Sequence, residues 1–157
     1  MPLDRTEALR AEYRARINRV LDFIDRHIGR DLCLEELART AHFSRFHFHR
    51  IFSALTGETL NAYIQRRRAE LAAAALLLHP KATITEIALD YGYSGSDVFA
   101  RAFRERFGMS ASEWRAGGVE AWRKKRQTNG KNRQADGKIR QEIFDALDDD
   151  EDALISF

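Results

Sequence analysis

The chain has 157 residues and a mass of 18.1 kDa, with 44% hydrophobic residues, 32% charged residues and a formal net charge of +2. This length suits one compact domain, or two small subdomains sharing a core, and excludes a larger multidomain assembly. The composition is typical of a soluble globular protein, without an apolar signal region at the start or the run of roughly 18 apolar residues that crosses a bilayer.

The first predicted helix follows a lead of residues 1–11 and runs from about Glu12 to His27. Its apolar residues recur at helical spacing, so they define one inner face that packs against the rest of the chain. The predicted inner face consists of Ile17, Val20, Leu21, Ile24 and Ile28.

Cys33 is the only cysteine. One cysteine excludes an intrachain disulfide framework and a thiolate metal cluster, and it favours a reducing, cytoplasmic compartment. Cys33 also stands at the predicted N-cap of the next helix, where a small residue fits. We prefer this structural interpretation to a redox role, which would need a lowered thiol pKa.

Residues 34–56 predict two short helices around a tight turn near Phe43. Apolar residues at helical spacing form one stripe before the turn and a second stripe after it, in which Phe48, Phe52 and Leu55 point inward. Gly57 stands where a residue in the left-handed conformation would end the second helix.

The histidines of residues 42–49 could suggest a metal site. His47 and His49 lie about 200° apart around a helix, so both cannot bind one ion, and His42 lies across the turn. No i, i+4 pair of histidines and no acidic second ligand accompanies them. We therefore predict neither a metal nor another cofactor.

A linking helix is predicted from about Thr59 to Leu78. Its AELAAAALLL stretch is apolar nearly all round, and such a helix must be covered on more than one side. We expect it to lie between the two halves of the chain and to contribute to the core of each.

Residues 84–107 repeat the pattern of residues 34–56, and a repeat at this period indicates two copies of one supersecondary unit. Capping boxes at Thr83-x-x-Glu86 and Ser110-x-x-Glu113 open the helix that starts the second copy and the helix that follows it. The matched pairs include Phe48 and Phe99, Arg50 and Arg101, Phe52 and Phe103, and Gly57 and Gly108.

Two helices around a tight turn form the helix-turn-helix, whose second helix enters the major groove of DNA. The two-copy pattern, with Phe48-x-Arg50-x-Phe52 in one copy and Ile87-Ala-Leu-Asp-Tyr-Gly-Tyr-Ser before Phe99-x-Arg101-x-Phe103 in the other, resembles the DNA-binding domain of AraC/XylS-type transcription regulators. The resemblance covers about residues 12–116. It implies an all-α fold in which two homeodomain-like helix-turn-helix subdomains, residues 34–56 and 84–107, are joined by the long helix 59–78.

The resemblance also implies a bacterial activator or repressor that binds double-stranded promoter or operator DNA. RNA polymerase is a further partner of such a regulator, the cytoplasm and nucleoid are its location, and no membrane is involved. The stripe opposite the buried phenylalanines is then the predicted groove surface of each copy.

The buried positions of the two copies repeat, whereas the predicted groove positions mostly differ. We therefore expect one monomer to read different bases with its two copies, in an asymmetric site. The aligned groove positions are Phe46 and Asp97, His49 and Ala100, Arg50 and Arg101, and Ser53 and Arg104.

Arg50 and Arg101 can each bind guanine bidentately, and Phe46 can contact a thymine methyl. Asp97 could accept a hydrogen bond from cytosine N4, or it could only stabilise the first turn of its helix. The three arginines at positions 66–68 are expected to divide between phosphate contacts and structural ion pairs. The complete set of candidate DNA-contacting residues is Arg45, Phe46, His49, Arg50, Ser96, Asp97, Ala100, Arg101 and Arg104.

Residues 117–157 are predicted to be a basic linker followed by an acidic tail. Residues 120–140 hold eight bases and two acids, and residues 141–157 hold seven acids and no base. The tail is either disordered or carries a short amphipathic helix from about Ile139 to Leu147. Its acids could fold back on the basic groove surface and compete with DNA.

Two other classes of function compete with a DNA-binding regulator. An enzyme is excluded because the sequence has no Gly-rich phosphate loop, no nucleophile with a spaced base and no cluster of metal ligands, so we predict no catalytic residue. A helical adaptor that binds proteins and not DNA is the remaining alternative. Arginine at the matched groove position of both copies favours DNA binding.

Overall fold

The structure is a computed structural model that describes residues 4–128, with side chains as far as residue 125. These residues form eight α-helices and no strand, which confirms the predicted all-α fold. A single π-helical segment, Trp114–Gly118, stands between the last two helices. The α-helices are α1 Arg5–Arg26, α2 Leu34–Thr40, α3 Arg45–Thr56, α4 Leu60–Leu78, α5 Ile84–Asp90, α6 Ser96–Phe107, α7 Ala111–Glu113 and α8 Val119–Thr128.

The described residues divide into two compact units. Unit 1 comprises residues 4–26 and 32–63, and unit 2 comprises residues 27–31 and 64–128. The division falls inside α4, between Tyr63 and Ile64, so this helix belongs to both units. Unit 1 contains α2 and α3, the first helix pair of the repeat, and unit 2 contains α5 and α6, the second.

Unit 1 is built around the phenylalanines of α3. Phe48 and Phe52 are fully buried with their rings 5.6 Å apart, and the ring of Phe52 meets Tyr63 edge-on at 5.4 Å. Each such side chain contributes roughly 1.5–3 kcal/mol by leaving water, so this cluster fixes which face of α3 points inward. The other buried side chains of α1, α2 and the turn after α2 are Ile17, Val20, Ile24, Leu37, Ala38 and Ala41.

Unit 2 repeats this arrangement with a longer row of aromatic rings. Phe99 and Phe103 are fully buried, with ring centroids 5.6 Å apart. The rings of Phe103 and Phe107 lie 4.6 Å apart, and Trp114 packs on Phe107 at 4.8 Å. The same buried face is therefore used in both copies of the repeat.

α4 enters unit 2 with small side chains. Trp114 packs against this part of α4 and donates a hydrogen bond from its indole nitrogen to the main-chain oxygen of Ala73 at 3.0 Å. Arg115 donates to the carbonyl oxygens of Leu76 at 2.9 Å and His79 at 3.2 Å, so it satisfies main-chain acceptors at the end of α4. The buried alanines of α4 are Ala69, Ala72, Ala73 and Ala75.

The helix ends follow the predicted signals. Gly57 and Gly108 end α3 and α6 in the left-handed conformation, with φ of 74° and 72°. The Thr83 hydroxyl accepts from the Glu86 main-chain N–H at 3.1 Å, and the Glu86 carboxylate accepts from the Thr83 N–H at 2.9 Å. The second predicted capping box, at residues 110–113, forms in the same way. These cap predictions are confirmed.

Cys33 is the N-cap residue of α2, as predicted, with extended backbone angles. Its side chain is exposed and makes no capping hydrogen bond. The thiol therefore contributes little to the start of α2.

α1 begins at Arg5, seven residues before the predicted start at Glu12. Residues 5–16 include no fully buried side chain. A helix without a buried face needs no apolar residues at helical spacing, and that spacing is the pattern from which a helix is predicted. An i, i+4 ion pair between Glu12 and Arg16 supports this exposed part of α1. On the predicted inner face, Leu21 is only partly buried, and Ile28 lies beyond the end of α1.

Residues 119–128 were expected to belong to the linker and instead form α8. Val119 is buried, and the ring of Trp122 lies 5.5 Å from Phe107 and 5.2 Å from Trp114. Val119 and Trp122 are the only large apolar residues of this mostly polar stretch, and two are too few to show a helical period. The amphipathic helix suggested from Ile139 to Leu147 lies outside the described residues.

Candidate nucleic-acid interface

α3 presents one buried and one exposed face. Ser44 caps its start, because the Ser44 hydroxyl accepts a hydrogen bond from the main-chain N–H of His47 at 3.4 Å. The cap and the buried phenylalanines fix the rotation of α3, which leaves Phe46, His49 and Arg50 exposed. Phe46 is 79% exposed, more than any other large hydrophobic side chain of the described residues.

The exposed face of α3 is basic. α3 contains Arg45, Arg50 and two histidines and no acidic residue. Glu35 of α2 lies 3.3 Å from Arg45, and both side chains are more than half exposed. An ion pair in such an exposed position contributes little stability, so Arg45 can exchange Glu35 for another anion at small cost.

α6 presents a corresponding face with different residues. Phe99, Phe103 and Phe107 are buried on one side, and Asp97 and Arg101 are exposed on the other. Asp97 stands in the first turn of α6, where a carboxylate stabilises the helix end even without a ligand. Asp97 is therefore placed to stabilise the start of α6 whether or not it also contacts a base.

The candidate residues fall on these two faces. Every one lies on α3 or α6 and is exposed, so none is taken up by the core. Ser53, which sequence alignment also assigned to the exposed stripe of α3, is only partly exposed. The exposed candidates are Arg45, Phe46, His49 and Arg50 on α3, and Ser96, Asp97, Ala100, Arg101 and Arg104 on α6.

Arg66 and Arg67 have intramolecular partners. Each donates to a different oxygen of the Glu70 carboxylate, at 2.9 Å. Burial alone would raise the pKa of Glu70, but the hydrogen bonds and charges of Arg66 and Arg67 together hold this pKa below its usual value. Of the two roles that the sequence predicts for these arginines, phosphate contact and structural ion pair, Arg66 and Arg67 have the structural ion pair.

Arg68 supports the turn between α5 and α6. Its Nε donates to the carbonyl oxygen of Ile28 and its Nη2 to that of Arg30, both at 3.1 Å. Gly92, in the turn itself, has a φ of 89° and packs against the Arg68 guanidinium. A glycine at position 92 indicates a turn in the sequence. Its packing against Arg68, 24 positions earlier, could not be predicted from the neighbouring residues.

Tyr93 follows Gly92 and lies under the start of α6. Its hydroxyl is buried and has no hydrogen-bond partner among the described residues. Burial raises the pKa of Tyr93, although the charges of Arg68 and Arg106 oppose the increase. Phe43 stands at the matched position of the first copy, so a hydroxyl is not needed for the turn itself.

The structure also bears on metal binding and membrane insertion. Within residues 4–128, no group of three His, Cys, Asp or Glu side chains is arranged to hold a metal ion. No helix in the same part of the chain combines the length and apolar character that a membrane span requires.

Comparisons with known proteins agree on one domain type. A family model described as a helix-turn-helix domain matches residues 37–117. The regulatory protein SoxS of Salmonella typhimurium is 34% identical over 99 residues, which are 63% of this chain and 92% of SoxS. The transcriptional regulator Rob of the same organism is 34% identical over 109 residues, 66% of this chain but only 37% of Rob.

One solved structure extends the comparison to a complex. The DNA-binding domain of AdpA, a global transcriptional factor crystallised with a target DNA, has a TM-score of 0.55 and 29% sequence identity. The match covers 69% of this chain and 93% of that domain.

Proposed function

Because this chain belongs to the AraC-type family of helix-turn-helix transcription regulators, we propose that it reads two segments of one asymmetric DNA site through α3 and α6. The observation that carries the proposal is the pair of arginines at the matched exposed position, Arg50 and Arg101. Each stands on a helix whose opposite face is held by buried phenylalanines, so its guanidinium is presented by a rigid support.

α3 reads the first segment. Arg50 donates two hydrogen bonds to O6 and N7 of a guanine, and Phe46 packs against a thymine methyl. His49 adds a donor or acceptor on the same exposed stripe. Arg45, at the first position of α3, leaves Glu35 to contact a phosphate at the groove edge.

α6 reads the second segment with a different set of groups. Arg101 binds a guanine as Arg50 does, and Arg104 extends the basic stripe by one turn. At the position of α6 that matches His49 of α3 stands Ala100, with a methyl group. Ser96 and Asp97 of α6 match Arg45 and Phe46 of α3. The bases preferred by α6 therefore differ from those preferred by α3.

The repeat supplies two reading helices in one polypeptide, so a single chain suffices for one site. We infer binding as a monomer, with the two contacted segments about 10 base pairs apart, one turn of B-DNA. A promoter site would bring the protein into contact with RNA polymerase at the bacterial nucleoid.

Selection of bound duplexes from a random pool, followed by footprinting, tests the proposal. The expected result is a motif of two unlike segments protected by one chain, with affinity that falls steeply as salt is added. A palindrome protected by two chains would contradict monomeric binding. Absence of binding to any duplex at low salt would leave the helical adaptor as the better description.

A further inference from the structure

The first turn, between α2 and α3, has the same backbone form as the second turn, between α5 and α6. The main-chain N–H of His42 donates to the carbonyl oxygen of Arg39 at 3.0 Å. The matched N–H of Gly92 donates to that of Leu89 at 3.2 Å. His42 and Gly92 are both left-handed, with φ of 56° and 89°. The repeat therefore includes the turn itself.

The left-handed conformation is not equally easy in the two turns. Glycine adopts it freely, whereas a residue with a β-carbon is strained there. Within residues 4–128, His42 is the only residue other than glycine with a positive φ. Such strain persists only where the surrounding structure holds the residue in place. The first turn therefore depends on the contacts made around His42.

Arg16 of α1 supplies these contacts. Its Nη1 donates to the carbonyl oxygen of His42 at 3.4 Å, a long hydrogen bond that a ring contact reinforces. The guanidinium carbon of Arg16 lies 5.0 Å from the centre of the Phe43 ring, within the range of a cation–π contact. Phe43 also meets Tyr13 edge-on, with ring centroids 5.1 Å apart. α1 therefore holds the first turn at two successive residues.

Arg68 has the corresponding place in the second copy, where it packs against Gly92. Arg16 and Arg68 each directly precede the buried stripe of a long helix, and 52 positions separate each residue of one stripe from its match in the other. In both copies, an arginine of a long helix therefore supports the turn before a reading helix. The matched buried residues are Ile17, Val20 and Ile24 of α1, and Ala69, Ala72 and Leu76 of α4.

We propose that Arg16 is a positioning residue for base reading by α3, which it holds in place through the first turn. This inference rests on the proposed function of α3 as a reading helix. Only Ser44, the N-cap, separates Phe43 from Arg45, the first residue of α3. A displacement of the turn would therefore move the start of α3 and the side chains on its exposed face. Contacts that read base edges must be held to within about 0.5 Å, so a small displacement is enough to weaken them.

The surroundings of Arg16 favour a positioning role over a direct phosphate contact. The Arg16 side chain is only 23% exposed. Its ion-pair, ring and hydrogen-bond partners all belong to unit 1, which contains α3, and none belongs to unit 2. Loss of Arg16 should therefore affect the segment read by α3 alone. Loss of a phosphate contact would instead weaken binding to all sequences alike. The partners are Glu12, Tyr13, His42 and Phe43.

The test repeats the selection from a random pool with the full chain carrying Arg16→Ala. This variant should lose preference in the segment read by α3 and keep it in the segment read by α6, which also shows that the chain is folded. Its affinity for the duplex selected by the parent chain should fall on the order of tenfold, the size of one base contact, while its affinity for a random duplex changes little. The slope of log K against log salt should stay that of the parent chain.

Two further variants serve as controls. Arg19→Ala removes an exposed arginine of the same helix and should keep the preference in both segments. Arg16→Lys retains the charge but not the planar guanidinium, so it should relax selection in the first segment as Arg16→Ala does. Parental selection by Arg16→Lys, together with a reduced salt slope in Arg16→Ala, would overturn the inference and assign Arg16 to a phosphate.

Hydrogen exchange of the main-chain amides gives a readout without DNA. In Arg16→Ala, the amides of His42 and Phe43 should exchange faster than in the parent chain, because the turn has lost its support. The matched amides of Gly92 and Tyr93 should exchange at the parental rate. Unchanged exchange at His42 and Phe43 would overturn the inference, because Arg16 would then not hold the first turn.

An equal loss of preference in both segments would also overturn the inference. Arg50→Ala separates this result from the proposed function, because that variant should relax the first segment without changing exchange in the first turn. If Arg50→Ala leaves selection in the first segment intact, α3 does not read bases and the proposed function fails. If Arg50→Ala relaxes that segment and Arg16→Ala does not, only the positioning role of Arg16 fails.

Discussion

Arg68 packs so closely against the main chain of Gly92 that a β-carbon added to Gly92 would lie 2.9 Å from the Arg68 Nε atom and 3.0 Å from the Ile28 carbonyl oxygen. The same Nε donates its hydrogen bond to that carbonyl oxygen. The turn before α6 is therefore held by a side chain of α4, and this packing leaves no space for a side chain at position 92.

Gly92→Ala should lower the free energy of unfolding by about 2–5 kcal/mol. The left-handed conformation costs a β-carbon about 1–2 kcal/mol, and crowding against Arg68 and Ile28 adds about 1–3 kcal/mol. Gly108→Ala is the matched control, because Gly108 is also left-handed but would place its β-carbon in open space. In urea denaturation, Gly108→Ala should lower the free energy of unfolding only by the conformational cost of about 1–2 kcal/mol. Equal losses in the two variants would contradict the crowding at Gly92.

Tyr93→Phe should raise the free energy of unfolding by about 1 kcal/mol, measured by urea denaturation near pH 7. The variant removes a buried hydroxyl that makes no hydrogen bond among the described residues, and the desolvation cost of that hydroxyl disappears with it. A loss of stability would show that the hydroxyl has a partner.

The same residue should affect stability at alkaline pH. Because burial raises the pKa of Tyr93, the folded chain keeps this proton at a pH where the unfolded chain, with a tyrosine pKa of about 10, has lost it. The resulting stability is present below pH 10 and is lost as pH rises from there through the raised pKa. Tyr93→Phe should therefore flatten the alkaline fall in unfolding free energy, and an equally steep fall would contradict the raised pKa.

Glu70 should contribute to stability on the acid side. Its pKa is held down in the folded chain by Arg66 and Arg67, so its contribution is present above the unfolded pKa of about 4.5 and is lost as pH falls through the lowered value. Glu70→Gln should show a smaller loss of unfolding free energy between pH 6 and 3 than the parent chain. The idea fails if both chains lose stability in parallel.

Arg50→Ala and Arg101→Ala should each weaken binding to the selected duplex by about 1–3 kcal/mol. Each variant should relax selection at its own position of the site, because the two arginines read different segments. Repeating the selection with each variant shows which positions lose preference. If only Arg50→Ala has an effect, α6 holds the backbone and does not read bases.

The helices of the repeat could be predicted closely because their signals are local. Gly57, Gly108 and the box at Thr83 and Glu86 mark helix ends through main-chain geometry that the nearest residues decide. The buried phenylalanines recur at helical spacing, so the inner faces of α3 and α6 follow from the same local pattern. Those faces in turn fix which candidate residues are exposed.

Features that depend on contacts between distant residues could not be predicted in the same way. The start of α1 carries no buried face, and α8 is held by Trp122 against rings that precede it by 8 and 15 positions. The role of Arg68 depends on the carbonyl oxygens of Ile28 and Arg30, 40 and 38 positions earlier. In each case the sequence contains the residues but not the pairing among them.

The alanines of α4 have a consequence for how this chain tolerates change. Alanine is usually the residue most easily replaced on a helix, yet Ala73 is buried and its main-chain oxygen accepts the hydrogen bond of the Trp114 indole at 3.0 Å. A longer side chain at position 73 would act as a wedge and push the segment after α6 away from α4. A residue type that usually tolerates replacement is therefore restricted at this position, because its methyl group is buried.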